Sequence, residues 1–345
     1  MRHHITLQPS GRGYYANGEQ SVLKAGLDAG LDLPYSCFAG MCRTCQGRLV
    51  SGSVDYGERE PDALTDEMKA KGLALLCVAR PASDCVIELR ELAQHLEKPT
   101  VVLCQVKAIS RPAPDVAIVA LRFPMNLPLR FTAGQYLNVL LPDGRKRSYS
   151  IATSPSPQKA MDVEIHIRHL PGGLFTDHVF STMKVGDKLR IEGPLGTFYL
   201  REDSAKPAIL LASGTGFGPI KAIIEHAIKQ SSKREFTLYW GCRIKADLYM
   251  LELPRKWAEE VPNFTFVPVL SDPSAADLWN GRTGFVHQAV ISDYPDLTGH
   301  QVYACGASVM VEAARKEFPM LCGLPTEEFF ADEFLNESDL ARSFA

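Results

Sequence analysis

The sequence lacks an excess of charge of either sign. It contains 37 lysines and arginines against 40 aspartates and glutamates, which gives a formal net charge of −3. A chain with this balance has no general attraction for polyanions. The sequence also has no run of about 18 uncharged apolar residues, the length that a membrane-spanning helix requires. We therefore expect neither a nucleic-acid partner nor insertion into a membrane.

Signs of secretion are also missing. The first residues, MRHHITLQPSG, show no basic stretch followed by an apolar core and a small-residue cleavage site. The cysteines number nine, an odd count in a long chain, and a disulfide framework explains such a count poorly. We therefore expect a cytoplasmic protein whose thiols are free.

Length and composition indicate several globular domains. With 46% hydrophobic and 22% charged residues, the chain is neither disordered nor collagen-like. Its 345 residues correspond to two or three domains of about 100–200 residues each. Residues 101–200 hold 12 basic and 7 acidic side chains, whereas acidic residues are in excess on both sides. Proline-bearing junctions at 97–100 and 204–207 are typical of linkers, so we predict domains at 1–97, 99–203 and 204–345.

The three segments differ in their pattern of strands and helices. The first combines short strands with one helix over 22–31, which predicts a small α+β domain. The second has strand after strand separated by Gly and Pro turns, which predicts an antiparallel β-barrel. The third alternates strands with helices that begin near Pro219 and Ser308, which predicts a parallel α/β sheet. The predicted strands are 5–8, 47–50, 86–89, 101–109, 116–123, 136–140, 161–168, 188–192, 208–212, 236–240, 264–270 and 302–304.

Four cysteines have the spacing of a plant-type 2Fe-2S site. Cys37, Cys42 and Cys45 form C-x4-C-x2-C, and Cys77 follows after an apolar run. Four thiolates must converge on two irons, so three come from one tight loop and the fourth from a separate strand. A four-cysteine zinc site is the alternative, although zinc sites usually use two C-x2-C pairs. Buried thiols without a ligand are a further alternative, and we assign that role to the remaining thiols Cys85, Cys104, Cys242 and Cys322.

The loop around these cysteines resembles that of the ferredoxins. It reads C-F-A-G-M-C-R-T-C, and Gly40 within it suits a turn where backbone N–H groups approach a cluster. Arg43 departs from the ferredoxin pattern, in which a small residue is usual at this position. The resemblance implies a β-grasp ferredoxin domain that binds a 2Fe-2S cluster.

A second motif, Arg147-Ser148-Tyr149-Ser150, follows a strand and a Pro-Asp-Gly turn. It resembles the R-x-Y-[ST] motif of the ferredoxin-NADP reductase superfamily, whose barrel binds FAD. By that resemblance Arg147 would pair with a flavin phosphate, Tyr149 would stack on the isoalloxazine and Ser150 would bond near its reactive nitrogen. A guanidinium and a flat aromatic ring suit those partners. Without the resemblance, four such residues would indicate only a solvated turn.

A third motif lies about 20 residues further on, in the order that the superfamily requires. It contains Arg168, Gly172, Gly173 and Thr176, and it resembles the superfamily's Gly-Gly turn that opens a short helix. Exposed N–H groups at such a helix start would bind the flavin pyrophosphate, and Thr176 would add a hydroxyl. A plain hairpin turn and a surface arginine are the alternatives. We leave His166 and His169 as structural residues.

A glycine-rich turn follows the first strand of the third segment. Gly214, Thr215, Gly216 and Pro219 stand where a buried strand meets a helix, which is typical of a phosphate-binding turn. The stretch resembles the superfamily's G-G-T-G-x-A-P turn, with Ser213 and Gly218 as departures. Cys305 and Gly306 resemble the pair that borders the nicotinamide, and there Ala307 replaces the usual proline. A buried thiol is the alternative for Cys305.

The donor nucleotide is expected to be NADH. Asp272 follows a strand at a position where NADPH-using relatives tend to have arginine, and a 2'-phosphate would favour cations there. Arg243 and Lys245 are nearby and would favour NADPH, which stays the alternative.

Near the C-terminus, Phe330 is our candidate for an aromatic shield on the flavin face, with a place in the core as its alternative.

Together the motifs resemble those of iron-sulfur flavoprotein reductases, a group that includes oxygenase reductase components and CDP-deoxyglucoseen reductase-like proteins. The resemblance implies an oxidoreductase in which FAD takes electron pairs from NADH and a 2Fe-2S cluster passes them singly to a separate acceptor protein. Tyr149, Ser150 and Cys305 would be its catalytic residues. A free-flavin or ferric reductase and a non-enzymatic redox sensor are the alternatives. An exposed acidic stretch could steer a basic partner, or be only a solvated face; it comprises Asp55, Glu58, Glu60, Asp62, Asp66 and Glu67.

Overall fold

The computed structural model describes residues 2–58, 60–156 and 161–335. It divides into two compact units, of which the first contains Met1–Leu96 and the second contains Glu97–Phe334. Within the described residues, no helix has the length and apolar character needed to cross a bilayer.

The first unit is a mixed sheet with one main helix. Its five strands have the order β2-β1-β7-β3-β5, and β4 and β6 form a separate two-stranded ribbon. Strand β1 pairs antiparallel with β2 and parallel with β7, and this mixed sheet with its helix agrees with the predicted α+β domain. The elements are β1 Arg2–Gln8, β2 Gly13–Asn17, α1 Val22–Asp28, β3 Gln46–Ser51, β4 Val54–Asp55, α2 Asp66–Ala70, β5 Leu73–Leu75, β6 Arg80–Pro81 and β7 Cys85–Glu88.

Helix α1 begins at a cap and covers the sheet. The Ser21 hydroxyl accepts a hydrogen bond from the backbone N–H of Lys24 at 3.2 Å, which satisfies one of the free donors of the first turn. The helix is shorter than the predicted 22–31, because it ends at Asp28 and Gly30 then takes a positive φ of 84°. That left-handed residue turns the chain so that Leu31 returns to the core.

The second unit begins with a six-stranded antiparallel sheet, in the order β11-β10-β13-β8-β9-β12. An isolated bridge between Ile151 and Ile165 links the end of β11 to β12 and closes the sheet into a barrel. The R-x-Y-[ST] motif forms β11 itself, a strand that the sequence pattern did not predict. The elements are β8 Thr100–Ala113, β9 Val116–Arg122, β10 Tyr136–Leu140, β11 Lys146–Ser150, β12 Asp162–Arg168, α3 Leu174–Ser181 and β13 Lys188–Leu195.

A six-stranded parallel sheet completes the second unit, in the order β17-β16-β15-β14-β18-β19. Residues 208–212 of β14 are all buried, because helices cover both faces of the sheet. The parallel α/β prediction is therefore confirmed, as is the antiparallel prediction for the preceding segment. The elements are β14 Ala208–Ser213, α4 Phe217–Lys229, β15 Phe236–Cys242, α5 Glu252–Glu260, β16 Phe264–Leu270, β17 Arg282–Thr283, α6 Val286–Asp293, β18 Gln301–Ala307, α7 Ser308–Cys322 and β19 Phe329–Phe334.

Candidate functional site

The four cysteines of the predicted cluster site lie together in the first unit. The sulfur of Cys37 accepts the backbone N–H groups of Ala39 at 3.3 Å and Cys42 at 3.4 Å, so the loop folds around it. Cys37 also contacts the thiols of Cys42 and Cys77, and Cys77 contacts that of Cys45. The loop and the segment after β5 thus bring all four sulfurs into one chain of contacts.

The contacts among these thiols shift their pKa values in opposite directions. Hydrogen bonds from the Cys42 and Cys77 thiols lower the pKa of Cys37 to about 2, and the same contacts with Cys37 raise the pKa values of Cys42 and Cys77. Buried thiols this close together are suited to bind metal ions, because a metal displaces the thiol protons when it binds. Within the described ranges, no three ligand-type side chains surround a single ion position, so the fit to a cluster depends on the sulfur contacts and on the donor set.

Two residues shape the cysteine loop. Gly40 has a φ of 69°, and a Cβ atom there would lie 3.0 Å from side-chain atoms of both Pro61 and Val78. Arg43, the departure from the ferredoxin pattern, also has a positive φ, of 59°. Its Nε donates to the carbonyl of Ala63 at 3.2 Å. Arg43 therefore ties the loop to the neighbouring segment, which gives this unusual residue a structural reason.

The flavin motif places its aromatic residue beside helix α3. The Tyr149 ring lies 5.4 Å from that of Phe175 between centroids. Burial raises the pKa of Tyr149, so the phenol is neutral at ordinary pH. Arg147, two residues away on the same strand face, is half-buried and donates from Nη1 to the Lys146 carbonyl at 2.9 Å. The strand thus presents a flat ring and a guanidinium in one direction.

The Gly-Gly turn opens α3 as predicted, with Gly173 at the N-cap position. A Cβ atom on Gly173 would lie 2.6 Å from Oγ1 of Thr176 and 2.9 Å from the Leu170 carbonyl, so only glycine fits. The first backbone N–H groups of the helix have no partner within the helix, and a diphosphate suits that end. FAD therefore fits this turn.

Two side chains, those of Thr176 and Asp177, bond to the backbone of this turn. The Thr176 hydroxyl donates to the Leu170 carbonyl at 2.8 Å and accepts from the Leu170 N–H at 3.3 Å, so it closes the turn. Asp177, which the sequence argument did not include, accepts from the Gly172 N–H at 3.1 Å and lies 2.8 Å from a ring nitrogen of His169. The Thr176 hydroxyl and the Asp177 carboxylate thus hold this turn closed through bonds to its backbone.

Arg168 lies beside the nucleotide turn. A Cβ atom on Gly214 would be 3.5 Å from Nη1 of Arg168. His166, left as a structural residue, is buried and its Nδ1 lies 2.7 Å from the hydroxyl of Tyr249. Both residues thus connect the barrel to the parallel sheet within the second unit.

The nucleotide turn is built by close backbone approach. Gly214 has a φ of 52°, and the turn 214–216 leads directly into α4, with Pro219 in its first turn. A Cβ atom on Gly216 would lie 2.2 Å from the Cys305 carbonyl oxygen. Thr215 is buried beside it. The turn therefore packs against the end of β18, and a nucleotide diphosphate fits its glycines and helix start.

Ser213 and Ala307, both departures from the family pattern, contact each other. The Ser213 hydroxyl accepts a hydrogen bond from the Ala307 N–H at 2.9 Å. Proline has no N–H group and could not make this bond. The serine at 213 and the alanine at 307 thus have one common explanation, because the first accepts the hydrogen bond that the second donates.

Gly218, the other departure in this turn, faces the barrel. A Cβ atom there would lie 3.4 Å from the Ala152 Cβ and from Nδ1 of His166. That separation is an ordinary contact, so the alanine of the family pattern would also fit.

Residues from three strands converge where β11, β18 and β19 end. The Ser150 hydroxyl donates to Oδ2 of Asp332 at 3.3 Å, and both residues are buried. Asp332 is the pairing partner of Cys305 in the parallel ladder of β18 and β19. Burial and, secondarily, the Asp332 charge raise the pKa of Cys305, so its thiol stays protonated.

Sequence reasoning assigned no role to Asp332. The sequence did contain a clue, because Asp332 lies two residues after Phe330 and therefore on the same face of a strand. Its partner Ser150 is 182 residues away in the sequence, and no local pattern reveals such a pair.

Phe330 is half-buried and packs against the core of the parallel sheet. Its ring stacks on Tyr303 at 4.9 Å between centroids, and the guanidinium carbon of Arg201 lies 4.6 Å from its centroid. These contacts are those of the alternative stated for this residue. Phe334 follows Asp332 on the same strand face and is also half-buried, so it is a second candidate for the aromatic shield.

The residues considered for nucleotide choice lie together. The Asp272 N–H donates to the Arg243 carbonyl at 2.9 Å, which joins the ends of β16 and β15. Asp272, Arg243 and Lys245 are all exposed. They lie at the carboxyl ends of parallel strands, where nucleotides bind in such sheets.

Three family models match this chain. They are a 2Fe-2S iron-sulfur cluster binding domain over residues 5–82, an oxidoreductase FAD-binding domain over 103–199 and an oxidoreductase NAD-binding domain over 210–316. Each covers one of the sites described above.

Similar proteins match over almost the whole chain. CDP-6-deoxy-L-threo-D-glycero-4-hexulose-3-dehydrase reductase of Yersinia pseudotuberculosis serotype I is 38% identical over 97% of this chain and 99% of its own length. Terephthalate 1,2-dioxygenase reductase component 2 of a Comamonas species is 35% identical over 97% and 98%. Among solved structures, the Amycolatopsis cytochrome P450 reductase GcoB is 34% identical, covers 96% of this chain and 98% of its own, and has a TM-score of 0.76.

We predict that Cys77→Ser abolishes cluster binding. The substitution removes the thiol that contacts both Cys37 and Cys45, and a plant-type 2Fe-2S cluster is held by four thiolates. Iron and sulfide should fall close to zero in protein purified without oxygen. Cys85→Ser is the matched control, because Cys85 is a buried thiol of the same unit. Zinc in the parent protein, or iron retained in Cys77→Ser, would contradict the assignment.

We predict that Ser213 and Ala307 are energetically coupled. Ala307 has φ −58° and ψ 133°, which proline can adopt, so Ala307→Pro removes the hydrogen bond without backbone strain. It should lower the free energy of unfolding by about 0.5–1.5 kcal/mol in the parent and have little effect in Ser213→Ala.

Denaturant titration followed by tryptophan fluorescence measures this coupling. All three tryptophans, Trp240, Trp257 and Trp279, belong to the parallel-sheet part of the chain. Equal costs of Ala307→Pro in both backgrounds would show that the bond contributes nothing.

Proposed function

Because this chain belongs to the iron-sulfur flavoprotein reductases of the ferredoxin-NADP reductase superfamily, we propose that it takes electron pairs from NADH and delivers them singly to a separate acceptor protein. It is an oxidoreductase with domains for a 2Fe-2S cluster, FAD and NAD. The family resemblance and these cofactors, inferred from the motifs, are thereby confirmed. FAD supplies the conversion of a hydride into single electrons, and the cluster carries one electron at a time.

The contact among Ser150, Asp332 and Cys305 carries this proposal. Ser150 belongs to the flavin motif and Cys305 to the nucleotide domain, and Asp332 joins them through a 3.3 Å hydrogen bond and a strand pairing. A flavin ring and a nicotinamide ring must meet for hydride transfer. The buried Ser150 hydroxyl would orient the flavin edge, and the protonated Cys305 thiol would border the nicotinamide. Asp332 would fix the position of both.

The other site residues divide by cofactor. Arg147 would bind a flavin phosphate and Tyr149 would stack on the ring, while the N–H groups after Gly172 and Gly173 would hold the pyrophosphate. Thr176 would act by shaping that turn. Gly214, Thr215, Gly216, Pro219 and Gly306 would form the nucleotide site, and Phe330 would cover the flavin face, with Phe334 as the second candidate on the same strand face. The cysteine ligands, the domain limits 1–97, 99–203 and 204–345, and a reducing compartment such as the cytoplasm complete the proposal.

The acceptor is proposed to be a protein. The similar proteins named above are reductases for a dehydrase and for a dioxygenase. The exposed acidic stretch gives limited support to an electrostatic docking face, because Lys69 pairs with Glu60 and Asp66, and Lys71 pairs with Glu67. These lysines cancel part of the local charge.

We predict that NADH, added without oxygen, bleaches both flavin and cluster absorbance in the parent protein. In Cys77→Ser it should bleach flavin absorbance alone, because the nucleotide and flavin sites belong to the other unit. Anaerobic titration followed by visible absorption measures both. Reduction of flavin in a parent that lacks iron would favour the free-flavin or ferric reductase, and no reduction by NADH or NADPH would favour a redox sensor.

We predict that Asp272→Arg shifts nucleotide preference toward NADPH. A guanidinium in this exposed position would attract the 2'-phosphate that the carboxylate repels. The ratio of kcat/KM for NADH to that for NADPH should fall about tenfold or more, the effect of one charge-assisted contact. Glu259→Arg, an exposed charge reversal in α5, is the control. An unchanged ratio, or a parent that already prefers NADPH, would contradict the role of Asp272.

A further inference from the structure

Helix α4, which the nucleotide turn opens, contains a buried lysine. Lys221 lies five residues after Gly216, the last glycine of that turn, and is only 6% exposed. Lysine is almost never buried to this degree unless an opposite charge is paired with it. A side chain that is costly to bury therefore stands one turn into the helix, and its partners indicate what it does there.

The Lys221 ammonium group has three partners. Its Nζ donates to the carbonyl of Ala152 at 2.9 Å. It also lies 3.1 Å from a carboxylate oxygen of Glu225, one turn further along α4, and 3.7 Å from one of Glu164 on β12. The Glu225 contact lies within the helix, whereas the contacts with Ala152 and Glu164 join the helix to the barrel. We call this meeting of Lys221 with Ala152 and Glu164 the junction.

On the barrel side, the junction lies just after the flavin motif. Ala152 follows two residues after Ser150, whose hydroxyl donates to Asp332. The Ala152 N–H donates to the Glu164 carbonyl at 2.8 Å, so this segment is fixed within the barrel. The bond from Lys221 therefore connects the chain that carries the flavin motif to the helix that begins at the nucleotide turn.

The lysine also neutralises two acidic side chains that belong to different elements. Glu164 approaches the ammonium from β12 and Glu225 approaches it from α4. Without the cation, these like charges would repel each other across the junction. Both carboxylates are partly exposed, so water and salt weaken this repulsion without removing it. Lys221 thus holds together two surfaces that would otherwise move apart.

A second contact between the barrel and the parallel sheet carries no charge. Nδ1 of the buried His166 lies 2.7 Å from the hydroxyl of the buried Tyr249. Burial lowers the pKa of His166 to about 3, so its ring is neutral at ordinary pH. This neutral pair does not depend on Lys221. We therefore expect that replacing the lysine shifts the junction but leaves the two sheets packed.

We propose that Lys221 is a positioning residue for hydride transfer, because its contacts set the separation between the flavin motif and the nucleotide turn. This inference deepens the proposed function and rests on it. Lys221 touches neither cofactor and acts through Ala152 and the start of α4. Hydride transfer from NADH to FAD leaves NAD+ and reduced flavin, and its rate depends steeply on the placement of the reacting atoms. A small shift of the junction therefore lowers the rate more than the affinity for either cofactor.

Lys221→Met tests this inference, because methionine keeps an unbranched apolar side chain and lacks both the charge and the donor. Stopped-flow mixing of the FAD-loaded protein with saturating NADH, without oxygen, gives the limiting rate of flavin reduction. Calorimetric titration with ADP-ribose gives a Kd, and acid release of FAD gives the flavin content per chain. We expect the limiting rate to fall about ten- to a hundredfold, with the Kd and the flavin content equal to those of the parent. The long-wavelength absorbance of a stacked nicotinamide and flavin should also decrease.

Further variants separate the charge of Lys221 from its shape. Lys221→Arg keeps the charge and should recover most of the rate. Lys221→Gln keeps a donor for the Ala152 carbonyl without the charge, so its rate should be intermediate, and it preserves the test if Lys221→Met does not fold. Adding Glu164→Gln to Lys221→Met removes one of the two opposed charges and should raise the rate above that of Lys221→Met alone. Lys229→Met is the matched control, because Lys229 is an exposed lysine of the same helix, and it should match the parent in every measurement.

Two results would overturn the inference. One is a limiting rate of flavin reduction in folded Lys221→Met or Lys221→Gln that equals that of the parent. The other is a Lys221→Arg protein as slow as Lys221→Met, which would show that the cation does not set the separation. A parent protein whose flavin NADH does not reduce would refute the proposed function and this inference with it. That result is distinguishable from failure of the inference alone, because it appears without any substitution.

Discussion

The hydrogen bond from Ser150 to Asp332 is the contact on which the arrangement of the second unit depends. Strand β11 belongs to an antiparallel barrel, and β19 is the edge strand of a parallel sheet. Cofactors that exchange a hydride must meet at a point that both sheets reach, and this 3.3 Å bond is one place where the two sheets meet. Because Asp332 is paired with Cys305, the nucleotide turn is placed too, since a Cβ on Gly216 would lie only 2.2 Å from the Cys305 carbonyl. An error in one register would separate the two motifs.

Strand β12 serves two purposes through the alternation of its side chains. Its apolar residues fill the barrel core, and its polar residues contact the nucleotide domain. When one face of a strand is exposed to water, the polar side chains on that face are ordinarily solvated. Here that face is partly covered, so His166 is buried and neutral and Arg168 lies beside two carboxylates.

Local patterns predicted much of this molecule, and long-range contacts account for the rest. The cysteine spacing and the change from antiparallel to parallel strands follow from near neighbours in the sequence, and the fold confirms the second. The Ser150–Asp332 pair spans 182 residues, and Asp332 by itself looks like any strand-end acid. By residue type alone, the Thr176 hydroxyl suits a phosphate equally well. In the structure it donates to the Leu170 carbonyl and so closes the turn. Phe330 and Phe334 share one strand face, and only the packing on Tyr303 distinguishes them.

The departures from the family pattern show how the close approaches are maintained. Ser213 replaces a glycine where β14 meets the turn, and its hydroxyl gains the N–H that a proline at 307 would lack. The neighbouring Gly306 has a φ of 133°, and a Cβ there would lie 2.3 Å from the Ser213 hydroxyl. Serine fits at position 213, where the family pattern has the smaller glycine, because Gly306 has no side chain and the Ala307 N–H donates to the serine hydroxyl. Arg43 follows the same logic in the cysteine loop, where its bond to the Ala63 carbonyl offsets a strained backbone. The residues at 43, 213 and 307 thus make contacts that support the same turns, so the sites retain their form although the motifs differ in sequence.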